Sequence, residues 1–149
     1  TGLGAAQWDQ YAKGSIYGIS RGTTAAHIAR AALEGIAFQT MDIVNAMQKD
    51  AGVTLKELKV DGGASRNDLL MQFQADILGT DVIRPTVTET TALGAAYLAG
   101  LAEGYGARID HNKSQCGVET KFTPMASPEA VDELKEGWAD AIRRTLTDK

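Results

Sequence analysis

Cysteine is nearly missing from this 149-residue sequence: Cys116 is the only one. A disulfide within the chain is therefore excluded, and a reducing, cytoplasmic setting is the expectation. Histidine is almost as scarce, and of the two, only His111 falls near Cys116. Two such side chains do not make a metal site, which wants about four ligands, and neither reads as catalytic. Positive charge is not in excess. Lys and Arg number 15 against 19 Asp and Glu, a net charge of −4, which argues against a broad nucleic-acid footprint. No apolar run approaches the roughly 20 residues of a membrane-spanning helix, and the first residues follow no signal-peptide pattern. Internal repeats, low-complexity tracts and paired carboxylates suited to acid–base chemistry are also missing. The sequence opens Thr1-Gly2-Leu3-Gly4 without an initiator Met, so the expectation is the C-terminal part of a longer chain.

What is present suits one globular domain. At 44% hydrophobic and 23% charged, there is apolar material for a real core. Residues 1–14 read as a loop packing Trp8 and Tyr11. Alternating small and large residues over 14–19 predict a strand, and Ser20-Arg21-Gly22 turns the chain. A long helix follows over about 24–49, capped by Thr23 or Thr24 and stopped at Gly52. Ile28, Ala32, Ile36, Ile43 and Met47 recur on one of its faces near a 3.6 period. His27, Arg30 and Glu34 share a stripe that reads either as a polar relay or, more plainly, as a solvated face with one ion pair. Later come a short strand at 82–84 ended by Pro85 and a helix from Ala92 to about Glu103 capped by Thr90 or Thr91. That helix is so rich in Ala and Gly that it must pack closely on a sheet or face a ligand. Residues 104–124 read as loop. The last helix starts at Ser127-Pro128-Glu129 and carries the stripe Val131, Leu134, Trp138, Ile142 and Leu146. Strands alternating with helices predict an α/β sheet.

The stretch that organises the rest is Leu58-Lys59-Val60-Asp61-Gly62-Gly63-Ala64-Ser65-Arg66-Asn67. Leu58 and Val60 end a strand-like run. Gly62 and Gly63 allow a sharp turn and carry no Cβ to block a ligand. Ser65 or Asn67 can cap the following helix, which runs through Leu69, Leu70, Phe73 and Ile77 to about Leu78. Backbone N–H groups at a helix start attract anions, and phosphate is the natural guest. A plain βα turn would use the same glycines for geometry alone. Asp61 ends the strand beside them and reads as ordering the turn through backbone amides rather than as a catalytic base.

Three stretches carry a family resemblance: Thr1-Gly2-Leu3-Gly4-Ala5 with Trp8-Asp9 and Tyr11–Gly14; Gly14-x-Ile16-x-Gly18-Ile19 followed by His27-Ile28-x-x-Ala31-Ala32-Leu33-Glu34; and Val60-Asp61-Gly62-Gly63-Ala64 with Asn67, Leu70–Gly79 and Thr91–Gly100. Together they resemble the C-terminal domain of the FGGY carbohydrate kinases, up to Tyr105. Met71-Gln72-Phe73-Gln74-Ala75-Asp76 beside Asp-Gly-Gly-Ala favours the glycerol-phosphorylating branch over the pentulose kinases. The resemblance implies an actin-like ATPase domain of ribonuclease H-like type, present in part, with a mixed sheet flanked by helices. It implies binding of ATP or ADP. Gly63 would offer its backbone to the α-phosphate and ribose, Asn67 would reach the adenine end, and Gly62 and Ala64 would shape the wall. The implied reaction moves the γ-phosphoryl of Mg-ATP to glycerol, with the polyol site and the base in an N-terminal domain preceding Thr1 and the Mg2+ ligands mainly outside this chain. A homo-oligomer is implied for the full protein.

The family pattern is not met everywhere. Ala6 and Gln7 stand where it carries Pro and Tyr, 106–117 diverges, and Met125-Ala126 does not match a docking segment for a sugar-transport regulator. Other readings stay open at this point: another sugar kinase of the family, an actin-like nucleotide-binding module without chemistry, or a packing piece whose Ala-rich helices are simply buried.

Overall fold

The computed structural model describes residues 2–104 and 120–147. In chain order they form helix α1 (Ala25–Ala51), strand β1 (Glu57–Lys59), a 3-10 turn (Gly63–Arg66), helix α2 (Asp68–Leu78), strand β2 (Asp81–Arg84), helix α3 (Thr90–Ala102), strand β3 (Thr120–Phe122) and helix α4 (Pro128–Thr145). His111, Cys116 and the divergent segment 106–117 lie outside the described residues.

β1 and β2 pair in parallel, with Leu58 opposite Val82. Such a pair needs a crossover connection, which α2 supplies. β3 runs antiparallel to β2, with Ile83 opposite Lys121, giving the order β1-β2-β3. The α/β class and the mixed sheet are as expected. β3 itself falls in the segment read as loop, because three residues are too few to display a two-residue period. Lys121 and Asp81 pair at 2.6 Å across these strands, and the Lys121 hydrogen bond holds the Asp81 carboxyl below its usual range.

Helix ends follow local chemistry. The Thr24 hydroxyl accepts from the His27 N–H, and His27 returns a bond to the Thr24 N–H, so this histidine serves a cap. Arg30 and Glu34 form an ion pair at 2.6 Å, which is the plain reading of that stripe. Asn67 caps α2 by accepting from the Leu70 N–H at 3.0 Å, and Gly79 in left-handed geometry ends it. Ser127 caps α4, with Pro128 in the first turn.

The core joins α1, α2 and the sheet through Ala37, Phe38, Met41, Leu70, Met71, Phe73, Ile77 and Val82. Phe38 sits edge-on to Phe73 at 5.4 Å and stacks on Trp138 of α4 at 5.0 Å. The Trp138 indole donates to Asp42 at 2.9 Å. α1 therefore buries Ala37, Phe38, Met41 and Val44, not the stripe expected from the sequence; Ile28, Ile36, Ile43 and Met47 are exposed. The helix is apolar on both sides, and α2 claims only one of them.

Further expectations are corrected. Residues 14–19 form no strand. Gly18 at φ 82° interrupts the extended run, and Ile16, Tyr17 and Ile19 stand 57–62% exposed, with no strand paired to them among the described residues. Trp8 and Tyr11 do not pack and are largely exposed. α3 starts at Thr90, two residues early; Glu89 stands at the cap position without a side-chain cap bond, and the Thr90 hydroxyl donates to the Asp61 carboxylate. No residue of α3 is buried, so the close packing expected of its small residues is not seen among the described residues. In α4, Leu134 and Trp138 pack against the core, while Leu146 falls past the helix end.

The N-terminal loop is organised by a carboxylate instead of its aromatics. Asp9, 3% exposed, accepts from the N–H groups of Tyr11 (3.0 Å), Ala12 (3.2 Å) and Thr147 (2.7 Å), and from the Thr147 hydroxyl (2.6 Å). The Thr147 bonds, chiefly, lower its pKa from 3.8 to about 2. A carboxyl depressed in the folded state contributes stability that is full above its unfolded pKa and is lost as the pH falls toward the folded one. Thermal midpoints should therefore fall between pH 4 and pH 2. Asp9→Asn should flatten the fall in that window while lowering the midpoint at neutral pH; identical profiles for the two proteins would contradict the role given to Asp9.

Candidate functional site

Because β1 and β2 are parallel, both end at the same edge of the sheet, the edge beyond which ligands of α/β sheets gather. From β1 the chain passes Val60, whose N–H bonds the Ile83 carbonyl at 3.0 Å, and enters the 3-10 turn. From β2 it passes Pro85 and reaches α3. The two connections are tied together. The Gly62 N–H donates to the Thr88 carbonyl at 2.7 Å, the Arg66 Nε to the Thr88 hydroxyl at 3.0 Å, and the Thr90 hydroxyl to Asp61.

Gly62 lies at φ 79°, ψ 173°, a conformation essentially reserved for glycine. A Cβ at Gly62 or at Gly63 would meet no heavy atom within 4 Å. The bend is thus open, not plugged by neighbours. The N–H groups of Gly63 and Ala64 donate to no acceptor among the described residues. Ser65 faces the other way: it is 2% exposed and its hydroxyl donates to the Gly62 carbonyl at 2.7 Å.

All four residues singled out in the sequence, Gly62, Gly63, Ala64 and Asn67, fall on this one turn. Asn67 spends its side-chain oxygen on the α2 cap. Asp61 is engaged by Thr90 and orders the start of α3 instead of a backbone amide. Three supporting residues were missed. Arg84, with its side chain 17% exposed, donates through Nη1 to the Ser65 carbonyl (2.8 Å) and to Asp68 (2.7 Å), with its guanidinium 5.1 Å from the Phe122 ring centroid. Thr88 and Arg66 are the others. An arginine closing a strand before Pro85 was a legible hint for the first; the other two act through tertiary bonds that no local pattern announces.

Among the described residues no group of three His, Cys, Asp or Glu side chains could hold a metal ion. A cavity of about 1020 Å³ lies elsewhere, between residues 12–17, α1 and α4. Its walls are largely apolar, with Ile16, Tyr17, Ile28, Phe38 and Trp138, and also carry Lys13, Glu34 and Glu133. The open turn has N–H donors of the kind an anion needs. No helix among the described residues is long and apolar enough to cross a membrane.

Residues 1–103 match the model of the FGGY family of carbohydrate kinases, C-terminal domain. The chain belongs to this family. This FGGY chain is 61% identical over 143 residues to a glycerol kinase of Deinococcus radiodurans, covering 96% of itself and 28% of that relative. It is 56% identical over 142 residues to one from Burkholderia ambifaria, again covering 28% of the relative. It thus spans little more than a quarter of the curated relatives it matches. Among solved structures, the Plasmodium falciparum glycerol kinase with ADP superposes with a TM-score of 0.85 at 36% identity, over 99% of this chain and 30% of that one. The xylulose kinase of Rhodospirillum rubrum gives 0.71 at 26% identity, over 91% of this chain and 28% of that one. The fold is accordingly part of the actin-like ATPase domain of FGGY kinases.

Proposed function

We propose that this FGGY chain is the nucleotide-binding part of an enzyme that transfers the γ-phosphoryl of ATP to glycerol, giving glycerol 3-phosphate. The observation that carries this reading is the open turn after β1, whose Gly63 and Ala64 N–H groups donate to no acceptor among the described residues. Relatives named glycerol kinase, one of them solved with ADP, support it. Phosphoryl transfer is mostly positioning and charge stabilisation. On this reading, the chain's share is to seat the nucleotide. Gly63 donates near the α-phosphate and ribose, Asn67 borders the adenine end, and Gly62 and Ala64 keep the wall low enough for close approach. The open amides precede α2, whose N-terminal end favours negative charge. Glycerol, the general base and the Mg2+ ligands are assigned to the other part of the enzyme, and this chain alone is expected to be inactive.

The test is a chimera. The matching quarter of the Deinococcus relative is replaced by this chain, and glycerol-dependent ADP production is measured. Turnover within about tenfold of the parent is expected, since the chain is 61% identical to the segment it replaces over 143 residues. A stable chimera without turnover, or steady turnover by this chain alone, would contradict the proposal.

A further inference from the structure

We infer that Arg66 and Thr88 form a clasp that positions the two open N–H groups for the nucleotide; the inference rests on the nucleotide reading of the turn. Gly63 and Ala64 lie between two residues that are both fixed to Thr88. Gly62 donates its N–H to the Thr88 carbonyl at 2.7 Å, and Arg66 donates its Nε to the Thr88 hydroxyl at 3.0 Å. Thr88 is 8% exposed and thus a fixed point, while Arg84 holds the Ser65 carbonyl from beneath at 2.8 Å. The direction of the two N–H groups therefore depends on a residue of the other connection.

The bond from Arg66 does not act mainly through charge. Its acceptor is a neutral hydroxyl, and its nearest carboxylate, Glu89, is 3.9 Å away, with both side chains about two-thirds exposed, where ion pairs contribute little. Arg66 and Thr88 are positioning residues: without the clasp, the turn must be ordered at the moment of binding, and that cost appears as lost affinity.

The experiment is titration of ADP into the chain and into five variants. Arg66→Met and Thr88→Val should each weaken ADP binding about fivefold, the worth of one such hydrogen bond. The double variant should be no weaker than the weaker single, as for two partners of one interaction. Thr88→Ser keeps the hydroxyl and should restore most of the affinity. Arg66→Gln removes the charge but keeps an N–H donor on Cδ, where Nε stands, and should restore most of the affinity. Unchanged affinities in Arg66→Met and Thr88→Val, additive losses in the double variant, or an Arg66→Gln no better than Arg66→Met would each overturn the clasp while leaving the nucleotide reading intact. Failure of the wild-type chain to bind ADP would overturn both.

Discussion

Gly63→Val is expected to weaken ADP binding at least about a hundredfold, or roughly 2.7 kcal/mol, without unfolding the chain. The position is open: a Cβ there meets nothing within 4 Å. Its backbone lies outside the left-handed region, which among the glycines is taken by Gly2, Gly18, Gly52, Gly62, Gly79 and Gly104. Valine therefore adds bulk to the space above the turn at little cost to the fold. The ligand, by contrast, must come close enough to accept from the Gly63 N–H, and two methyl groups on the adjacent carbon occupy that approach. Gly62 is the poorer test, because any side chain at φ 79° strains the backbone and confounds folding with binding. Calorimetric titration of ADP alongside a thermal melt checks the prediction. Equal affinity in the two proteins would remove the turn from the binding site.

The largest loss of stability is expected from Phe38→Ala. Phe38 is 7% exposed, edge-on to Phe73 and stacked on Trp138, so one ring joins α1, α2 and α4. Truncating a buried Phe costs about 3–5 kcal/mol, a large share of the roughly 5–15 kcal/mol that holds a domain together. A fall of more than about 10 °C in the thermal midpoint should follow. Trp138→Ala should lose less, since its ring is only half-buried, though the Asp42 carboxylate then loses the indole donor. A shift of only 1–2 °C for Phe38→Ala, within the range of a surface change, would show that the three-helix junction does not hold the core.

What the sequence made legible was local. Gly62 and Gly63 mark a turn by their chemistry, Asn67 and Thr24 mark helix starts, and Gly79 marks a stop; each signal depends on a few neighbouring residues, and each is realised. What escaped depends on distant partners. The alternation over 14–19 has the form of a strand, but a strand exists only through the ladder it joins, and no such ladder reaches it among the described residues. Ile28, Ile36 and Ile43 have helical period, yet the period cannot say which of two apolar faces of α1 will meet α2. Trp8 and Tyr11 looked like the anchors of the first loop, whereas the anchor is Asp9, whose partner Thr147 is 138 positions away. The site divides in the same manner. The four residues proposed for it share one local motif, which the sequence displays on its own. Arg66, which ends the turn, and Arg84 and Thr88, which meet it from β2 and the connection after β2, act through tertiary bonds that the sequence does not display.

The most direct measurement is a 15N–1H titration of the chain with ADP. Saturable shifts centred on the Gly63 and Ala64 amides, with the residues lining the α1–α4 cavity unmoved, are the result expected of a nucleotide seated on the turn. Fixed Gly63 and Ala64 signals, with shifts clustered instead at Ile28, Phe38 and Trp138, would contradict it.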